Sequence, residues 1–118
     1  MDQSSLMVDY PSGIISKTIM ETKLEFYKAI RLLDCGKMER AMEILQEVIK
    51  TSQEEKDDLS FIRSNCVLGE LYFGLNDFDK SRFHLEAALN TMNNCNLEKD
   101  LFDYEKLSAS KILMKLTK

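Results

Sequence analysis

The chain has 118 residues, and its 16 lysines and arginines stand against 20 aspartates and glutamates, which gives a formal net charge of −4. This length fits one domain and disfavours a two-domain enzyme. The acidic balance disfavours a surface built to bind nucleic acid or an anionic membrane. Four glycines and one proline leave few turn residues, so the composition predicts an all-α fold.

The first half of the chain is predicted to contain a short tail and two helices. Residues 1–13 lack a helical period and are expected to form an N-terminal tail or cap. From Ile14 onward, apolar side chains recur every three or four residues, which predicts a helix that closes near Gly36. A second helix is predicted from about Met38 to Thr51, and the charged segment that follows is expected to be a solvated helix end and turn.

Three further helices are predicted in the second half. The third is capped by Asp58 or Ser60 and ends at 73–74. The fourth spans about 78–92 and leads into an asparagine-rich loop, after which a fifth helix begins at 97 or 100 and ends at 116. Loops of only a few residues between helices predict antiparallel neighbours.

The cysteines indicate a reducing compartment. Cys35, Cys66 and Cys95 are an odd number and form no CxxC pair. The sequence has neither a basic and apolar leader nor an apolar run that could span a bilayer, so we expect a cytoplasmic protein. Each cysteine is expected to be a small buried or half-buried side chain.

An internal repeat is the strongest signal in the sequence. An offset of 40 residues aligns three small residues, Ala29, Gly69 and Ala109. Large apolar residues coincide around them, for example Leu32, Tyr72 and Ile112. A small residue lets two helices approach closely, and large neighbours fill the space between them. One helix pair cannot cover its own apolar face, so adjacent pairs are expected to stack.

The segment from Leu68 to Ser81, with Leu85, Ala88 and Leu89, resembles the tetratricopeptide repeat. The resemblance implies antiparallel helix-turn-helix repeats stacked as a short right-handed solenoid of about five helices. It places this domain at 14–118, with repeats at about 22–55 and 60–95 and a half repeat at 97–118. The period of 40 exceeds the usual value of about 34, as in the longer-repeat branch of the family.

The same resemblance implies a non-enzymatic adaptor that binds a peptide or helix of another protein in a concave groove. By motif position, the groove residues are Lys23, Phe26, Ile30, Leu33 and Asp34 from the first copy, Arg63, Cys66, Glu70 and Phe73 from the second, and Asp103, Lys106, Ser110 and Leu113 from the third. Phe26, Ile30, Leu33 and Phe73 would be the apolar anchors. Some of these side chains could instead be core, or be covered by Leu6, Met7, Val8, Ile14 and Ile15.

The family's carboxylate clamp for chaperone C-termini is not expected in this chain. The clamp needs lysine, asparagine and arginine side chains at five positions. The matching positions here hold Phe26, Ile30, Val67, Asp103 and Leu107.

The sequence offers no catalytic constellation. His84 is the only histidine, and no serine or cysteine partner for it can be identified, so we expect a partly exposed helix residue. One histidine and scattered cysteines cannot supply a structural zinc site. We therefore expect no enzyme, no metal and no cofactor.

Two alternative functions stay open at this point. Ile112, Leu113 and Leu116 on the fifth helix need a cover, which a second copy could supply in a homodimer, or further repeats if these residues are part of a longer array. The other alternative is a peptide-sensing regulatory domain like those of bacterial regulators. The sequence has no basic helix-turn-helix region for direct DNA binding.

Overall fold

The computed structural model describes residues 10–117, with side chains described for 19–98 and 100–117. This part of the chain is helical, and the all-α prediction is confirmed. Its elements are α1 (Tyr10–Asp34), α2 (Met38–Glu55), α3 (Asp58–Gly74), α4 (Phe78–Asn94), a 3-10 turn (Lys99–Phe102) and α5 (Asp103–Leu116). Consecutive helices pack against each other, as in a stack of helix pairs.

Several helix ends differ from the prediction, including the start of α5 at Asp103 rather than at 97 or 100. α1 begins at Tyr10 rather than Ile14, since a proline such as Pro11 is compatible with the first turn of a helix. α2 continues past Thr51 to Glu55, because Ser52 is buried and its hydroxyl donates to a backbone carbonyl of the same helix. The predicted tail lies largely outside the described residues. So do Leu6, Met7 and Val8 and the side chains of Ile14 and Ile15, which were expected to cover the groove.

Three consecutive turns share one geometry at intervals of 20 residues. Gly36, Lys56 and Asn76 each adopt a left-handed conformation, with φ of 78°, 60° and 64°. In each case the next residue donates its backbone N–H to the carbonyl five residues earlier, at 2.8 to 2.9 Å. The pattern closes one helix and lets the next begin two residues after the left-handed residue. The 40-residue repeat is therefore two copies of one helix–turn unit.

The fourth junction, between α4 and α5, does not follow the 20-residue interval. α4 ends at Asn94 and the next residue, Cys95, has an extended backbone; the 3-10 turn then precedes α5, which starts at Asp103. Phe102 at the start of α5 and Ala109 within it are still buried, as the counterparts of Ile62 and Gly69 on α3. Within the described chain, however, α5 packs only on α3, α4 and the 3-10 turn, so one of its sides is left without a neighbouring helix. Ser64 is buried on α3, whereas its counterpart Tyr104 is 74% exposed on α5.

The core consists of two apolar clusters. The first joins α1, α2 and α3, and includes Ala29, Ala41, Leu45, Val48, Leu68 and Tyr72. The second joins α3, α4 and the 3-10 turn, and includes Ile62, Cys66, Ala88, Met92 and Phe102. α3 contributes to both clusters, so it is the central helix of the stack.

Gly69 permits the close approach of α3 and α4. A methyl group at this position would lie 2.5 Å from Cγ and Cδ2 of Leu85. Ser81 on α4 donates its hydroxyl to the Gly69 carbonyl at 2.8 Å. The repeat analysis predicted small residues at three equivalent positions, and all three are buried.

The described cysteines lie in different environments. Cys66 is buried and Cys95 is half-buried, as predicted, but Cys35 is exposed. The prediction for Cys35 is wrong because this residue belongs to the turn between α1 and α2 rather than to a packed helix face.

α3 is capped by Asp57, not by Asp58 or Ser60. Asp57 Oδ1 accepts the backbone N–H of Ser60 at 3.3 Å and lies 3.8 Å from Lys23 Nζ on α1. Asp77 caps α4 in the same way through the N–H of Lys80. Asp57 is buried and pairs with Lys23 of another helix, whereas Asp77 is partly exposed and pairs with Lys80 of the helix that it caps.

Replacing Asp57 by alanine should lower the free energy of unfolding by about 1 to 2 kcal/mol. This loss of stability has two causes: the substitution removes the cap of α3, and it removes the ion pair between Asp57 and Lys23 of α1. The matched variant Asp77→Ala removes the same kind of cap at a more exposed position and should cost less than about 1 kcal/mol. Urea unfolding followed by circular dichroism measures both. Equal losses would contradict a contribution from the contact with α1.

Candidate functional site

A pocket opens between α1 and α3. Its lining residues are Lys23, Phe26 and Tyr27 from α1, and Leu59, Ser60 and Arg63 from α3. The cavity has a volume of about 80 Å³. The rings of Phe26 and Tyr27 meet edge to face with centroids 5.8 Å apart, and Tyr27 is 59% exposed. This α1–α3 pocket thus has an apolar lining that solvent can reach, with two cationic side chains at its rim.

Both cations of the α1–α3 pocket are paired with carboxylates that lie deeper. Lys23 Nζ is 3.8 Å from Asp57 Oδ1, and the two side chains are 42% and 6% exposed. Arg63 Nε is 3.8 Å from Glu105 Oε2 on α5, and again the cation is the more exposed partner. The solvent side of the pocket therefore presents the cations rather than their counter-ions.

The structure brings three of the predicted groove residues together, and all three line the α1–α3 pocket: Lys23, Phe26 and Arg63. Farther along α1, Ile30 and Leu33 are half-buried and Asp34 is exposed. Phe26 and Leu33 also pack against the first core cluster. Of the predicted apolar anchors, Phe26 is therefore part pocket and part core.

Cys66 does not line a groove, and that prediction is wrong. It is only 4% exposed and packs in the second core cluster. Burial raises the pKa of its thiol to about 12, and the charges of Glu105 and Glu70 act in the same direction. The thiol stays protonated at neutral pH, so it is a packing group and not a nucleophile.

Glu70 and Phe73 connect α3 to neighbouring helices, away from the α1–α3 pocket. Glu70 Oε2 accepts the hydroxyl of Ser108 on α5 at 2.7 Å. The Phe73 ring lies 5.7 Å from the ring of Phe78 and 5.7 Å from Lys115 Nζ. These two side chains hold the second half of the stack together.

The predicted contributions of α5 to the groove need correction. Lys106 lines a small cavity with Met92 and Asn93, so it lies on the α4 side of α5. Asp103 is exposed, and Ser110 and Leu113 are half-buried. The residues that reach α3 are instead Glu105, which pairs with Arg63, and Ser108, which donates to Glu70.

Sequence reasoning missed Tyr27, Leu59 and Ser60 as pocket residues. Tyr27 is largely exposed, as are Met20 and Leu24 on the same helix. A usable signal was its position one helical turn after Lys23, which places both side chains on the same face. No motif marks Leu59, since its role follows from how α3 packs beside α1.

His84 has a structural role between α3 and α4. Its Nδ1 lies 2.8 Å from Asn65 Oδ1, and its ring stacks on that of Tyr72 with centroids 5.6 Å apart. Burial lowers the pKa of His84, and the charge of Lys80 lowers it further. The side chain is half-buried, close to the partly exposed position predicted for it.

Within the described side chains, no group of three histidine, cysteine, aspartate or glutamate residues is placed to hold a metal ion. None of the helices in the described part of the chain combines the length and the hydropathy needed to cross a bilayer.

Comparison with known proteins identifies the central helix pair. Residues 62–91 match the family model of the tetratricopeptide repeat. The chain is related to the tetratricopeptide-repeat family. The match covers about a quarter of the chain and includes Gly69, Ser81 and Leu85, where α3 and α4 of the tetratricopeptide pair touch. No curated protein and no solved structure matches the chain.

The tetratricopeptide relationship indicates a role in protein–protein interaction or as a scaffold. Tetratricopeptide repeats are generally non-enzymatic.

Proposed function

We propose that this chain is an adaptor that binds a segment of another protein at the α1–α3 pocket. The observation that carries the proposal is the solvent-accessible apolar lining of this pocket, above all the exposed ring of Tyr27 beside Phe26 and Leu59. An exposed aromatic side chain next to a preformed cavity is a typical anchor point in protein recognition.

The charges of the α1–α3 pocket favour an amphipathic segment with acidic residues. An apolar side chain of the partner would contact Phe26, Tyr27 and Leu59. Acidic groups beside it would approach Lys23 and Arg63, whose own carboxylate partners lie deeper than they do. Such a segment could be a helix or an extended strand, since both present apolar side chains at regular intervals.

A random peptide library displayed on phage tests this proposal, because the selection itself supplies the ligand. Selected peptides would be labelled and titrated by fluorescence anisotropy against the wild type, Tyr27→Asp and Phe83→Asp. Tyr27→Asp should weaken binding at least about tenfold, because it places a charge against the apolar anchor. Phe83 is 68% exposed on α4, so Phe83→Asp is the matched control and should leave affinity unchanged.

Two results would contradict the proposed site. Peptides whose affinity is the same for the wild type and Tyr27→Asp bind elsewhere, and an equal loss in both variants indicates a nonspecific effect of the added charge. Circular dichroism of the two variants provides the check that each remains helical.

We further propose that the protein works in a reducing compartment such as the cytoplasm. The three thiols are free, and the exposed position of Cys35 would favour intermolecular disulfides under oxidising conditions.

A further inference from the structure

A line of exposed apolar side chains runs along α5 and the turn before it. Leu101, Tyr104, Leu107 and Met114 are 43%, 74%, 58% and 66% exposed. Tyr104, Leu107 and Met114 are spaced by three and seven residues, which places them on one side of α5. Together with Leu101 in the turn before the helix, we name them the α5 stripe. Large apolar residues grouped on one surface, rather than scattered singly, mark an interaction site.

The α5 stripe is distinct from the predicted edge. Ile112, Leu113 and Leu116 are half-buried, and the carbonyl of Leu116 accepts a hydrogen bond from Arg82 Nη2 on α4 at 3.0 Å. On this side α5 also buries Ala109, while Phe102 in the preceding turn enters the second core cluster. Thus α5 has two apolar sides, one packed on the stack and one facing solvent.

The charges beside the α5 stripe indicate which partner helix is complementary to it. Exposed Asp103 lies four residues before Leu107, and exposed Lys111 lies four residues after it. An antiparallel copy of α5 centred on Leu107 brings Asp103 of each chain to the same level as Lys111 of the other. A parallel copy would instead set Asp103 against Asp103 and Lys111 against Lys111.

We infer that the α5 stripe is a homodimer interface in which two copies of this chain pair their α5 helices antiparallel about a twofold axis. Such an interface is isologous, so each complementary charge pair forms twice. Leu107 lies at the axis, with Tyr104 and Met114 on either side of it. This inference does not depend on the proposed peptide site, which lies on α1 and α3.

The size of the interface sets its strength. One pair of short helices buries less than the roughly 1,200–2,000 Å² typical of stable specific complexes. We therefore expect a dissociation constant of about micromolar order rather than a permanent dimer. The charge pairs at its margin contribute mainly to the choice of the antiparallel arrangement.

Sedimentation equilibrium of the full chain over a concentration series tests the inference. The wild type should move from monomer to dimer as concentration rises. Leu107→Glu places two like charges at the twofold axis and should raise the dissociation constant by more than about tenfold. Phe83→Glu on α4 is the matched control, and it should dimerise like the wild type.

A charge exchange distinguishes this arrangement from any general effect on folding. Asp103→Lys and Lys111→Asp should each weaken the dimer, and the double variant should restore it because the pairs are re-formed with opposite polarity. A wild type that stays monomeric at all concentrations, or a double variant no better than the single ones, would overturn the inference. So would a Leu107→Glu variant that still forms the dimer.

Discussion

Leu68→Ala is expected to lower the free energy of unfolding by about 3 to 4 kcal/mol. Leu68 is 0% exposed and lies in the core cluster that joins α1, α2 and α3. Its removal leaves a cavity at the centre of the stack, where the surrounding helices can close in only partly. The loss is a large fraction of the total stability of a domain of this size.

Leu75→Ala is the matched control for this prediction. Leu75 follows α3 directly and is 52% exposed, so the same substitution should change the free energy of unfolding by less than about 0.5 kcal/mol. Urea unfolding of both variants gives the comparison. A loss below about 1 kcal/mol for Leu68→Ala would mean that α3 does not carry a shared core.

Gly69→Ala is expected to destabilise the protein by about 1 to 3 kcal/mol, although alanine is the better helix former by about 1 kcal/mol. The new methyl group would lie 2.5 Å from two carbons of buried Leu85, neither of which can move without displacing the packing of α4. Gly74→Ala provides the contrast, because nothing lies within 4 Å of a methyl group there. That variant should be neutral or gain up to about 1 kcal/mol.

A double-mutant cycle tests the cause of the Gly69 effect. In a Leu85→Ala background the obstructing side chain is gone, so Gly69→Ala should cost little or become favourable. The coupling between the two positions should exceed about 1 kcal/mol. The same cost in both backgrounds would show that the contact with Leu85 is not the cause.

Local signals in the sequence were sufficient to predict the helices and the small residues at the helix contacts. Apolar periodicity located the five helices of the described residues, and the alignment of Ala29, Gly69 and Ala109 identified three buried positions. These features depend on residues close in sequence, or on a spacing that the repeat preserves. Lys23, Phe26 and Arg63, which the repeat predicted along one groove, line one pocket in the structure.

The contacts of α5 could not be predicted in this way. An offset of 40 residues transfers the position of a helix along the chain, but the contacts of its side chains depend on which other elements pack against it. The 3-10 turn buries Phe102, Lys106 lies beside Met92 and Asn93 of α4, and no helix of the described chain covers Tyr104. For a similar reason Cys66 was misplaced, because only the packing of α4 and the 3-10 turn on α3 determines that it is covered.

The shared geometry of the turns at Gly36, Lys56 and Asn76 has a consequence for how such a chain can grow. From α1 to α4 the joint within a helix pair has the same geometry as the joint between pairs, so the elementary module of this segment is one helix with its turn. Duplication or loss of a single module would leave every remaining joint intact. Wherever this joint is used, odd numbers of helices are then as accessible to evolution as even ones.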